Sequence, residues 1–313
     1  MSNNNSVDCL NPTVETNPAN LAIGGVILVI CAVFAFVANI VIVAIYSRKN
    51  MRSPINTLLT GLALVEAILA LWMIFWRGLL SLEVEPFVSR ILFPLNAFYM
   101  TLHTVSVFFT VSLGLERYFA VCHFKKMNSK TAFIILGACL ALSITINLPH
   151  AWVYEWHTND NGTVCTALNV KFVSDNGKFL YYSSSIVQLI IPTLILIVTS
   201  MLIIKKIKRT NDTIEELTEI SVNRKKEHRI TKKLLAVILV FTVKSILIVT
   251  LKFFHMSNSN ILFASLCDLF VVLNCGVNII IYGIYDENFR KIILSRYKDD
   301  KKTTVYSQVT KSH

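Results

Sequence analysis

The segment "ILFPLNAFYMTLHTVSVFFTVSLGLERYFAVCHF", Ile91–Phe124, carries no formal charge from Ile91 to Leu115 and then sets Glu116 and Arg117 side by side. An α-helix rises about 1.5 Å per residue, so a run of this length crosses the roughly 30 Å of a bilayer's hydrocarbon core. The adjacent acid and base then mark the membrane boundary, where charge is tolerated.

The rest of the chain repeats the pattern. Apolar runs at about 21–46, 55–77, 88–115, 131–153, 179–205, 230–254 and 261–284 are each long enough to span. Apolar residues make up 54% of the 313, only 16% are charged and the mean hydropathy is positive, which separates the chain from soluble domains. The expected fold is an all-α seven-transmembrane helix bundle with a short amphipathic C-terminal helix.

An odd number of spans puts the termini on opposite sides, and the distribution of basic residues orients them. With the N-terminus outside, the inner side receives 24 of the 30 Lys and Arg, as the positive-inside rule expects. The net charge of +11 therefore reflects inner loops rather than a nucleic-acid partner. Residues 1–20 lack the basic and apolar regions of a cleavable leader, so they read as a retained extracellular tail. The sequons at Asn4 and Asn161 fall outside, where glycosylation occurs, and the one at Asn211 falls inside.

The domain plan is an extracellular tail (1–20), a membrane domain (21–285), an interfacial amphipathic helix (286–297) and a cytoplasmic tail (298–313). In "YDENFRKIILSRYKDD", Phe289, Ile292 and Ile293 share one face and the basic residues lie nearer the other, which suits anionic lipid. The mixed-charge segment 205–233 has helical periodicity, so spans five and six should continue as helices beyond the membrane. No loop leaves room for an ATPase, the seven cysteines lack metal-ligand spacing and no cofactor is called for.

Polar groups within spans are the candidates for function, because an ionisable side chain at mid-bilayer costs about 2.5–3.5 kcal/mol. Asn39, Glu66, Ser106, Asn274 and Asn278 come from four spans and share a depth at which they would solvate a sodium ion or a water cluster. For a single asparagine, ordinary interhelical hydrogen bonding is the simpler account. Lys244 and Asp268, on consecutive spans, have opposite charge, although Asp268 lies nearer the outer surface.

These residues resemble, in order, the motifs of the rhodopsin-like (class A) G-protein-coupled receptors over nearly all of 21–297. Asn39 marks the first span, and "MRSPINTLLTGLALVE" opens the second, with Glu66 where the family usually has aspartate. "LERYFAVC" is similar to the acidic-Arg-Tyr motif, with Glu116, Arg117 and Tyr118. Pro192 matches the fifth-span proline and Phe241 the sixth-span phenylalanine. "NIIIY", Asn278 to Tyr282, resembles Asn-Pro-x-x-Tyr with isoleucine for proline. "NLPH" and "LCDLFVVLNCGVNIIIYGIYDENFR" most resemble invertebrate neuropeptide receptors of the FMRFamide and myosuppressin type.

The chain also departs from that pattern. Leu92 replaces the usual third-span cysteine, which leaves Cys165 to pair with Cys9, with Cys267 or with nothing. Lys244, Ser245 and Leu247 in "FTVKSIL" stand where relatives often carry Cys, Trp and Pro. Tyr99 replaces the aspartate of amine receptors, and the seventh span has no lysine for a retinal Schiff base.

The resemblance implies a non-enzymatic plasma-membrane receptor whose ligand changes helix packing and whose partner is a heterotrimeric G protein, with arrestin, a receptor kinase and membrane lipid as further partners. It places Tyr99, His103, Gln188, Lys244, Lys252 and Asp268 around the ligand, and Glu116, Arg117, Tyr118, Pro192, Phe241, Asn278 and Tyr282 along the activation route. The acidic outer face slightly favours a cationic peptide. A small-molecule chemoreceptor and an ion-coupled transporter are the rival readings; the latter predicts inverted repeats, which the sequence does not display.

Overall fold

The computed structural model describes residues 21–81, 96–123, 127–152, 154–158, 164–168, 183, 185–212, 221–258 and 261–293. A π-helical turn, Leu21–Ile27, leads into α1, Leu28–Tyr46. Then come α2, Pro54–Ser81, α3, Asn96–Cys122, and α4, Ser129–Asn147, the last continued by a 3₁₀ turn, Leu148–Trp152. A second π turn, Ile186–Ile190, opens α5, Ile191–Asp212, and α6, Ser221–Asn258, and α7, Ile261–Tyr285, follow. Residues 287–293 form a further helix, α8.

Seven of these helices are long and apolar enough to cross a membrane. Between α4 and α5 the chain adds a feature not anticipated from the sequence, an antiparallel hairpin of β1, Tyr154–Thr158, and β2, Val164–Leu168, with His157 opposite Cys165. The third span also differs from its expected limits. Its helix runs on to Cys122, so Glu116 and Arg117 lie within the last two turns rather than beyond the helix. Charge did not end the helix because Leu115–Cys122 contains no Gly or Pro to break it.

Local chemistry sets the helix ends. Ser53 caps α2 through its Oγ, which accepts from Asn56 N at 3.2 Å, and Pro54 fills the first helical position, where no N–H is needed. Asn128 caps α4 by accepting from Thr131 N at 2.7 Å. Asp286 does the same for α8, its Oδ1 accepting from Phe289 N at 3.2 Å. The π turn of α5 ends just before Pro192, which lacks an N–H and whose ring would strike the carbonyl four residues back.

α3 is the central helix and touches α2, α4, α5 and α6, while α1 packs on α2 and α7. Close approach depends on small residues: a Cβ on Gly61 would sit 2.7 Å from Leu136 Cδ2, and one on Gly114 would sit 2.6 Å from Leu196 Cδ2. Two layers of core result. One, at the Arg117 end, gathers Tyr46, Leu58, Phe109, Leu234, Tyr282 and Phe289; the other, at the Tyr99 end, gathers Leu28, Leu69, Met73, Leu102, Leu189 and Val272. The outer faces carry exposed Ile30, Phe34, Phe133, Ile134, Leu194 and Leu239. Such a belt is a liability in water and is what lipid requires.

Candidate functional site

Among the described residues, the Arg117 end buries two ionic arrangements. Arg117 donates to its neighbour in bidentate fashion, Nε to Glu116 Oε2 at 2.6 Å and Nη2 to Glu116 Oε1 at 3.1 Å, with both side chains buried. Tyr118 points elsewhere, its hydroxyl 3.2 Å from His123 Nε2.

The second arrangement was missed in the sequence and joins three helices. Lys233 of α6, 3% exposed, donates to Asp286 Oδ2 at 2.9 Å and to Tyr46 OH at 3.3 Å, while Tyr46 OH also donates to Asp286 Oδ2 at 2.9 Å. The Tyr46 and Tyr282 rings lie 5.3 Å from Lys233 Nζ and meet each other edge-on at 5.6 Å. Phe289 of α8 stacks into the same cluster. Burial by itself would raise the Asp286 carboxyl. The charge of Lys233 and the hydrogen bonds from Lys233, Phe289 N and Tyr46 outweigh it and hold the group below the usual carboxylate range. Asp286 thus neutralises a lysine whose charge also feels Arg117.

At mid-depth the expected polar cluster is only partly assembled. Glu66, fully buried, accepts from Asn278 Nδ2 at 2.8 Å and from Ser106 Oγ at 3.3 Å, so α2, α3 and α7 meet on one carboxylate. Asn39 is not in it: its amide donates to the Ala35 and Cys275 carbonyls, each at 3.0 Å, which ties α1 to α7. Asn274 is also outside and borders a groove between α1, α6 and α7. Asn274 and Asn278 share a face of α7 but sit one turn apart, so they differ by about 6 Å in height and reach different neighbours. Among the described residues no cluster of His, Cys, Asp or Glu suits a metal ion, and the charge of Lys244 reaches Glu66.

Lys244 does not pair with Asp268. Its ammonium sits 4.3 Å from the centre of the Phe241 ring, and Asp268 Oδ1 instead accepts from Tyr99 OH at 3.2 Å. His103 lies one turn from Tyr99 on α3, with ring centres 6.5 Å apart. Tyr99, His103 and Asp268 are therefore brought together. Gln188 is separate: it is 2% exposed and donates to Asn147 Oδ1 at 2.9 Å. Asn147 in turn donates to Thr104 Oγ1 at 2.9 Å and to the Ser143 carbonyl at 2.8 Å. This bridge across α3, α4 and the turn before α5 was not among the expected residues, although an asparagine inside an apolar span was the available signal. Phe241 packs with Val107, Leu196 and Ile238, and Pro192 is buried at the start of α5. The side chain of Lys252 and residues Asn4, Cys9 and Asn161 lie outside the described residues, so the Cys9–Cys165 expectation does too.

Comparison with known proteins identifies the family. The family described as 7 transmembrane receptor (rhodopsin family) matches residues 38–282. The chain is 30% identical over 312 residues to the FMRFamide receptor of Drosophila melanogaster, an alignment covering 92% of this chain and 56% of that one. It is 25% identical over 327 residues to the Sex peptide receptor of the same organism, covering 88% of this chain and 74% of the relative. The chain thus spans just over half the length of the first of these relatives. With the family match covering most of the chain and seven helices able to cross a bilayer, this multi-pass membrane protein belongs to the rhodopsin family of seven-transmembrane receptors.

Proposed function

We propose that the chain is a plasma-membrane receptor for an extracellular neuropeptide and that it activates a heterotrimeric G protein from its cytoplasmic face. The distribution of Lys and Arg supports an N-terminus outside, with the Tyr99 end taking the ligand and the Arg117 end the G protein. The buried bidentate Glu116–Arg117 pair at one mouth of the bundle is the observation that carries the reading. A guanidinium held by a neighbouring carboxylate can be released to a partner without unfolding anything, and a ligand that favours the released packing drives it.

Both relatives are named for peptide ligands, which supports a peptide here. At the Tyr99 end the Asp268 carboxylate, carried on Tyr99 OH, suits the arginine of an amidated FMRFamide-like peptide. Phe241, Tyr282, Asn278 and Glu66 form the packed column between the two ends and would rearrange with Arg117. The hydroxyl-rich tail would serve a receptor kinase and arrestin, and α8 would lie on anionic lipid.

The test is nucleotide exchange on co-expressed G proteins in cells challenged with a library of amidated neuropeptides. An active peptide should lose its effect on Arg117→Ala while retaining its binding and the receptor its surface expression. Normal exchange by that variant would overturn the mechanism, and a library without a single active member would overturn the ligand class.

A further inference from the structure

Between α1, α6 and α7 a groove of about 570 Å³ faces the bilayer, within the roughly 300–1,000 Å³ of small-molecule sites. Phe34, Val243, Leu273 and Ile280 line it, each about half exposed. A wall of this kind is ordinary lipid contact, except that two polar side chains belong to it. Lys244 lines the groove while only 5% exposed, and Asn274 lines it at 9%.

Neither has a hydrogen-bond or ion-pair partner among the described residues. Lys244 rests on the Phe241 ring and forms no ion pair or hydrogen bond among the described residues. The Glu66 carboxylate is within electrostatic reach, but its own contacts are to Asn278 and Ser106. The Asn274 amide likewise has no partner among the described residues. An ammonium and an amide held in hydrocarbon are both donors in search of an acceptor, and a carboxylate satisfies both.

Depth narrows the ligand class. Lys244 lies roughly 20 Å along α6 from the inner end of the apolar run 230–254 and about 15 Å from its outer end. A phosphate fixed at the interface does not descend to that level, whereas the carboxyl of a single-chain amphiphile does, because it crosses bilayers in its neutral form.

We propose that the groove between α1, α6 and α7 binds a long-chain fatty acid, its alkyl chain along Phe34, Val243 and Ile280 and its carboxylate on Lys244 and Asn274. The site is independent of the peptide-receptor reading, since it needs neither the Tyr99 end nor a G protein.

The experiment uses the full chain in phosphatidylcholine nanodiscs, a diazirine-bearing fatty acid as photoprobe, and oleate or methyl oleate as competitor. The label is expected on peptides from α1, α6 and α7, displaced by oleate and about tenfold less well by the methyl ester, which lacks the charge. Lys244→Met should weaken labelling about tenfold or more. Leu273→Trp, which fills the groove from its exposed rim and leaves the lysine in place, should abolish labelling and keeps the test decisive if Lys244→Met does not fold. Equal displacement by methyl oleate, label spread over the outer face of α4, or undiminished labelling of Leu273→Trp would each overturn the proposal.

Discussion

Replacing Asp286 by asparagine should raise signalling in the absence of ligand. The carboxylate accepts from Lys233 and Tyr46, both at 2.9 Å, and caps α8, so it holds the ends of α1, α6, α7 and α8 together. Removing one partner of a buried ion pair costs about 3–5 kcal/mol. Here the Asp286 side chain is 15% exposed, and an asparagine oxygen still accepts from Lys233, which lowers the loss to about 2 kcal/mol. If α6 swings away from α7 when the G protein docks, Lys233 and Asp286 are already apart in the active packing. The loss then falls on the inactive packing alone and shifts the balance by about thirtyfold. The assay is basal nucleotide exchange on purified G protein by receptor in nanodiscs, normalised to the amount of folded receptor, with Lys233→Ala alongside. Basal exchange equal to or below that of the parent in both variants would refute the idea that this triad restrains α6.

Other outcomes follow from the same geometry. Because the folded Asp286 carboxyl lies below its ordinary range, its stabilising contribution is complete at neutral pH and disappears only as pH falls through about 4 and below; acid titration of α8 docking, followed by fluorescence, should show this step and lose it in Asp286→Asn. Asn147→Leu should lower thermal stability by about 1–2 kcal/mol, since Gln188 and Thr104 lose their shared partner, and a detergent melting curve would measure it. Gly114→Ile should cost about 1–3 kcal/mol or prevent folding, because its Cβ alone meets Leu196 Cδ2 at 2.6 Å; surface expression is the readout. Asp268→Asn should weaken an arginine-containing peptide about thirtyfold or more and leave a neutral analogue unaffected in competition binding.

Much of the fold was legible because its cause is one-dimensional: hydrocarbon thickness fixes the length of each apolar run, and α1 taken with its leading π turn, α2 and α7 begin and end within a few residues of the expected limits. The overrun of α3 was harder to see, since polarity marks where a membrane stops rather than where a helix does. The Glu66, Ser106 and Asn278 contacts could be anticipated from shared depth, yet Asn39 turns to the Cys275 carbonyl and Asn274 sits a full turn of α7 from Asn278, so an approximate common depth is insufficient. Lys233 and Asp286 looked like ordinary interfacial charges. Only the packing of α6 against α7 and α8 distinguishes them from Lys291 and Glu287, an exposed pair one helical turn apart.

Glu116 and Arg117 are consecutive on one helix, so their bond spans no interface. Its rupture requires side-chain torsions and no separation of helices, a motion that takes microseconds to milliseconds. A distance probe between α3 and α6 does not by itself report on that bond. The Glu116–Arg117 bond and the spacing of the helices are in that respect two separate observables.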